Sequence, residues 1–130
     1  MIPIAATRQF GQTHNPTEIR LNREAKTLEV AFTDGAKFSI PAELLRVESP
    51  SAEVQGHSPE QKTLVAGRRH VAILEIIPMG NYAVALKFDD LHDSGIYTWD
   101  TLYHFGAHQE AMWAEYLSAI EAAGLSRDPK

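Results

Sequence analysis

The sequence predicts an α+β fold: a mainly antiparallel β-sheet built from hairpins, with a short helix after Pro41 and a C-terminal helix packed on the sheet. Three observations predict it. Several short runs alternate apolar and polar residues and are separated by turn residues, the period of strands buried on one face. One later stretch repeats its apolar residues at intervals of three and four, the period of a helix that covers such a sheet. The chain has 130 residues, 44% apolar and 22% charged. That length fits one domain, able to bury roughly two thirds of the surface its unfolded form exposes.

Residues 1–16 show no periodicity and end in the turn dipeptide Asn15-Pro16, so a mobile leader is expected there, with the folded domain spanning 17–124. Ile19 and Leu21, then Leu28, Val30 and Phe32, alternate with polar neighbours and predict two strands. Asp34-Gly35 supplies a turn, and Phe38 with Ile40 resumes the alternation on its far side. Pro41 suits the first helical position, and Glu43 early with Arg46 late suits the dipole of a short helix over 41–47. Between Glu48 and Arg69 runs a polar stretch rich in Ser, Pro and Gly, longer than the usual loop. Val71–Ile77, Tyr82–Phe88 and Ile96–Trp99 read as further strands, making about six in all. After Asp100, an apt N-cap, the chain turns helical. Met112, Trp113, Tyr116, Leu117 and Ile120 lie near one face, and Gly124 stops the helix. The tail 125–130 should fray.

Composition narrows the function classes. The net charge of -5 argues against a nucleic acid or an anionic membrane as primary partner. No apolar run approaches membrane-spanning length, and 1–6 is too short and lacks the basic flank of a signal peptide. The absence of cysteine excludes disulfides, thiol nucleophiles, thiolate zinc sites and self-ligated iron-sulfur clusters, and it fits a cytoplasmic protein.

The histidines are the first candidates for chemistry. His104 and His108 share a helix face, but Gly106 lies between them and no zincin glutamate follows, so they read as solvated or half-buried side chains. His108-Gln109-Glu110 matches half of an iron facial triad without the distal histidine or the jelly roll. His92 is richer. Asp89, Asp90, Asp93 and Asp100 surround it in sequence with no Lys or Arg among them, which would raise its pKa unless burial opposes. The turn is either a cation or partner site or a solvated acidic hairpin. His92, Asp93 and Ser94 are consecutive and cannot align as a nucleophilic relay. The long loop adds Ser49, Ser51, Glu53, His57 and Ser58, without a glycine-rich phosphate motif or a Walker lysine. Arg68-Arg69-His70 is the one basic cluster and reads as a solvated strand entrance, with an anion or acidic-partner contact as the alternative. The large aromatics, Tyr97, Trp99, Trp113 and Tyr116, read as packing residues.

Three segments in order carry a resemblance: Phe32-Thr33-Asp34-Gly35 running into 38–46, then 49–57, and last Pro78-Met79-Gly80-Asn81-Tyr82-Ala83-Val84 with 88–99. Over about residues 17–105 the chain resembles the gamma-butyrobetaine hydroxylase-like N-terminal domain, a family of small bacterial proteins of unknown function. In the related dioxygenases this module looks like a structural zinc domain with three cysteines and a histidine. Laid onto this chain, the cysteines fall at Ser49, Ser51 and Val54 and the histidine at His92. The resemblance therefore implies a site stripped of its thiolates, empty unless His57 and a carboxylate such as Glu53 or Asp90 rebuild it. The catalytic jelly roll has no counterpart in this length, so hydroxylase activity is not implied. A similar module is appended to Mrp-type ATPases, which implies an accessory role in iron-sulfur cluster assembly.

The combined expectation is a non-catalytic accessory or protein-binding module without a cofactor or metal of its own. Its expected contact surface is Ser49, Ser51, Glu53, His57, Asp90, His92 and Asp93. The rivals are a metal-binding protein using His57, His92 and nearby carboxylates, and an enzyme with a pocket at His92. Homodimerisation through an exposed strand is a further possibility.

Overall fold

Alternating residues build two three-stranded meanders. A computed structural model describes residues 14–56 and 58–129. In the first sheet β1 (Pro16–Asn22), β2 (Thr27–Phe32) and β3 (Lys37–Pro41) are antiparallel in the order β1-β2-β3. The register sets Ile19, Val30 and Phe38 in one row and Leu21, Leu28 and Ile40 in the next, so the apolar members of all three strands share a face. Asp34-Gly35 makes the expected turn: Gly35 sits at φ +90, and Asp34 Oδ1 accepts from the Ala36 N–H at 2.9 Å.

The second sheet follows the order β4-β5-β6, with β4 (Ile73–Met79), β5 (Ala83–Phe88) and β6 (Ile96–Thr98) antiparallel. Val84, Leu86, Phe88 and Tyr97 enter the core. The fold is thus α+β as the sequence predicts, with its strands divided between two sheets. The segment that holds α1 and the long polar stretch separates β3 from β4 in the chain, and the two strands lie in different sheets.

Between the sheets in sequence stands α1 (Ala42–Val47), buried on every side. Pro41 is its N-cap, at φ -62 and ψ 138, not its first helical residue. The buried carboxylate and guanidinium of α1 are both paired: Glu43 with Arg127 through contacts of 2.7 and 2.9 Å, and Arg46 with Asp90. A single turn, α2 (Ala52–Gln55), and a 3-10 turn (Pro59–Gln61) follow.

The last helix, α3 (Trp99–Ala122), is capped by Thr98, whose Oγ1 accepts from the Thr101 N–H at 3.2 Å. Asp100, the expected cap, instead accepts from the His14 N–H at 2.9 Å. His108, at φ -118 and ψ 16, breaks the helix in two. The first half sends Trp99, Leu102 and Phe105 into the main core, and the second packs Tyr116 and Ile120 on Val47 beside Leu64 and Val65. Leu117, placed on the buried face by its spacing, is exposed.

The first strand starts at Pro16, and Asn15 already accepts from the Thr33 N–H, so the ordered chain begins before Thr17. The rest of the expected leader, 1–13, lies outside the described residues. The described part of the tail makes contacts: Gly67 and Arg69 N–H groups donate to the Ser126 and Arg127 carbonyls, and Arg127 lies over the Trp113 ring. Its own ion pair with Glu43 ties it down. Among the described residues no helix is long and apolar enough to cross a membrane.

Candidate functional site

The site forms where the chain leaving α1 meets the turn after β5. That turn is tightly determined. The Phe88 N–H donates to the His92 carbonyl, the Leu91 N–H returns to the Phe88 carbonyl, and Asp90 Oδ1 accepts from the His92 N–H at 3.2 Å. The other Asp90 oxygen receives two guanidiniums, Arg46 Nε at 2.8 Å and Arg68 Nε at 2.6 Å. Burial pushes the Asp90 carboxyl up, but the His92 N–H and the two arginines outweigh it, and the net displacement is below the usual carboxylate value. Arg68 is therefore an inward clamp, and the solvated strand entrance expected of the basic cluster does not hold for it.

His92 is buried, with its ring against Phe88. Nε2 lies 3.2 Å from Ser49 Oγ, and Nδ1 lies 3.2 Å from Glu53 Oε2. The tautomer that satisfies both contacts carries its proton on Nδ1, donates to Glu53 and accepts from the Ser49 hydroxyl. Ser94 Oγ donates to the other Glu53 oxygen at 3.0 Å, and Ser49 Oγ accepts from the Ser51 N–H at 3.3 Å. Gln55 Nε2 fixes the Ser49 carbonyl at 2.9 Å. The sequence reading raises the His92 pKa unless burial opposes, and burial does oppose: it lowers the pKa, Arg46 adds to the lowering, and Glu53, Asp90 and Asp93 only partly offset it. The solvated acidic hairpin is corrected, since His92 is enclosed and Asp90 is clamped.

Of the residues singled out from sequence, Ser49, Ser51, Glu53, Asp90 and His92 come together. Asp93 is exposed beside them and reaches His92 only through its charge. His57 lies outside the described residues. Sequence reasoning missed Arg46, Arg68, Tyr97 and Gly95. Tyr97 donates its hydroxyl to the Leu45 carbonyl at 2.6 Å, and burial pushes its phenol pKa up. A Cβ on Gly95 would stand 2.4 Å from Ser49 Oγ, so glycine is needed for the turn to close over the serine.

Ser49, His92 and Glu53 are in the order of a hydrolase relay, yet Ser49 has 0% exposure. Five surface hollows, such as that between Lys62, Leu64, Met112 and Tyr116, have neither Ser49 nor His92 in their walls. Zinc does not fit either. Two serine hydroxyls and the Val54 side chain offer no thiolate, imidazole or carboxylate, and both His92 nitrogens already have partners. Among the described residues no three His, Asp or Glu side chains cluster as a ligand set.

A family model described as "Gamma-butyrobetaine hydroxylase-like, N-terminal" matches residues 19–103. Two NMR solution structures are each 43% identical with a TM-score of 0.79; one covers 92% of this chain and 94% of its own. A crystal structure from Acidithiobacillus ferrooxidans, described as a protein of unknown function of the DUF971 family, is 36% identical with a TM-score of 0.60. It covers 72% of this chain and 93% of its own. No curated protein matches the chain.

Proposed function

We propose that this chain, which belongs to the gamma-butyrobetaine hydroxylase-like N-terminal family, works as a non-catalytic, protein-binding accessory module of the cytoplasm. One observation carries the reading: Ser49, His92 and Asp90 are engaged between the two segments at the site, the buried Ser51 hydroxyl has no partner, and an acidic rim is left outward. Ser49, His92 and Asp90 are consumed inside, while Glu53, Asp89, Asp93 and Ser94 face solvent. Such a rim, held on a rigid base, suits recognition of a protein with a basic surface. Assistance in iron-sulfur or metalloprotein assembly is the role that the likeness to modules on Mrp-type ATPases suggests. Without cysteine, the chain would act there through a partner that holds the cluster.

The relay geometry favours one second reading, an acyl-transfer enzyme with Ser49 as nucleophile. The burial of Ser49 under Gly95 speaks against it. Two measurements separate the readings. Affinity capture with wild type and with a Glu53→Lys, Asp93→Lys double variant should give different partner lists; identical lists would remove this face from consideration. A fluorophosphonate probe should leave Ser49 unlabelled, and stoichiometric labelling of Ser49 would establish the enzyme instead.

A further inference from the structure

Leu91, at the tip of the turn that carries His92, has 78% exposure, against 44% for Leu74, the next of the exposed large apolar residues. Its backbone is at φ +72, in the left-handed region where a side chain with a Cβ is strained and glycine or asparagine is favoured. The turn cannot relax it. Its own N–H is bonded to Phe88, the residue before it is clamped by Arg46 and Arg68, and the residue after it is enclosed against Ser49 and Glu53. The fold gains nothing from leucine here, since the side chain is in water and the backbone would be easier with glycine. What leucine supplies is a fixed apolar projection.

The surroundings give the chemistry of what would cover it. Asp89 and Asp93 flank Leu91 two residues to each side and are exposed, and Glu53 beside His92 is 68% exposed. No Lys or Arg occurs between Asp89 and Asp100, and Arg46 and Arg68 are directed onto Asp90. An apolar tip flanked in the chain by exposed carboxylates disfavours phosphate-rich surfaces and suits a protein pocket with cations at its edge.

We propose that Leu91 is the anchor of the contact surface and that its occupant is an apolar pocket rimmed by Lys or Arg on another protein. The inference rests on the reading of this face as a binding surface. Strain at a functional tip implies a trade between stability and binding.

The full chain carrying a photoreactive leucine analogue at position 91 provides the test, with the crosslinked peptide sequenced and the purified partner then titrated by calorimetry. The expected adduct maps to a peptide with apolar residues next to Lys or Arg. Affinity should fall at least tenfold in Leu91→Gly and weaken between 50 mM and 300 mM salt, roughly the range over which exposed charges become screened. Leu91→Gly should also melt at the same or a higher temperature than wild type. No adduct, an adduct on an acidic peptide, unchanged affinity in Leu91→Gly, or a lower melting temperature for that variant each overturns the proposal. If Asp93→Lys abolishes binding while Leu91→Gly does not, the anchor fails and the contact surface stands. If neither variant matters, both fail.

Discussion

Ser49 Oγ joins two loops that lie 43 positions apart in the chain, and with the proton on Nδ1 it does so by donating to the imidazole Nε2 of His92. Ser49→Ala should destabilise the protein by about 1–2 kcal/mol, read from urea unfolding, because His92 Nε2 is left buried without its donor. Gly95→Ala should cost about 1–3 kcal/mol, since the new methyl meets Ser49 Oγ. That cost should shrink in the Ser49→Ala background, where the clashing atom is gone, and equal costs in both backgrounds would show that the contact is not the cause. The pH dependence has a defined sign. The unfolded chain protonates His92 near its ordinary value of 6.5, whereas the native chain does so only at lower pH. Between those two values the unfolded state binds more protons, so stability falls as pH drops below about 6.5. Asp90, also lowered, extends the loss as pH falls through 3.8 and below. His92→Gln should flatten the decline between pH 7.5 and 5.5 in urea midpoints. The meeting of positions 49 and 92 was legible only through the family resemblance, because a contact between such distant positions leaves no local pattern, and the clamps of Arg46 and Arg68 on Asp90 had no signal at all. Even the expected direction at His92 followed its sequence neighbours, while the decisive influences were burial and Arg46, distant in the chain.

Hairpins were legible where period and turn chemistry agreed, as at Val30 and Phe38 on either side of Asp34-Gly35, because both signals are local. Helix ends were less so. Asp100 and Thr98 are both good cap residues, and what separates them is where their oxygens go: Thr98 to the Thr101 N–H, Asp100 to the distant His14 N–H. The break at His108 was not legible either. It lets the first half of α3 follow β3 and β6 while the second half follows α1, a requirement set by tertiary packing. Gly106 shows how close that first half runs: a Cβ there would come within 2.2 Å of the Phe38 ring. Gly106→Ala should therefore destabilise the protein by about 1–3 kcal/mol despite alanine's better helix propensity. Thermal melts with Phe38→Leu as the second substitution check it, because a smaller partner should recover part of the loss.

At the scale of the molecule, charge pairs between distant segments close the structure. Glu43 retains only 8% side-chain exposure and depends on Arg127, across 84 positions. Arg127→Met should lower stability by about 1–3 kcal/mol, with partial recovery on adding Glu43→Gln, since an unpaired buried carboxylate is the penalty. A frayed tail would make both substitutions silent. The composition signalled one acidic domain, but it could not reveal that the strands divide into two meanders. That division has a kinetic consequence. Each sheet pairs only strands that are consecutive in the chain, so loop-closure entropy is small while either forms. Refolding should show early amide protection in both hairpin sets, followed by a slower step in which they dock and α3 settles across them.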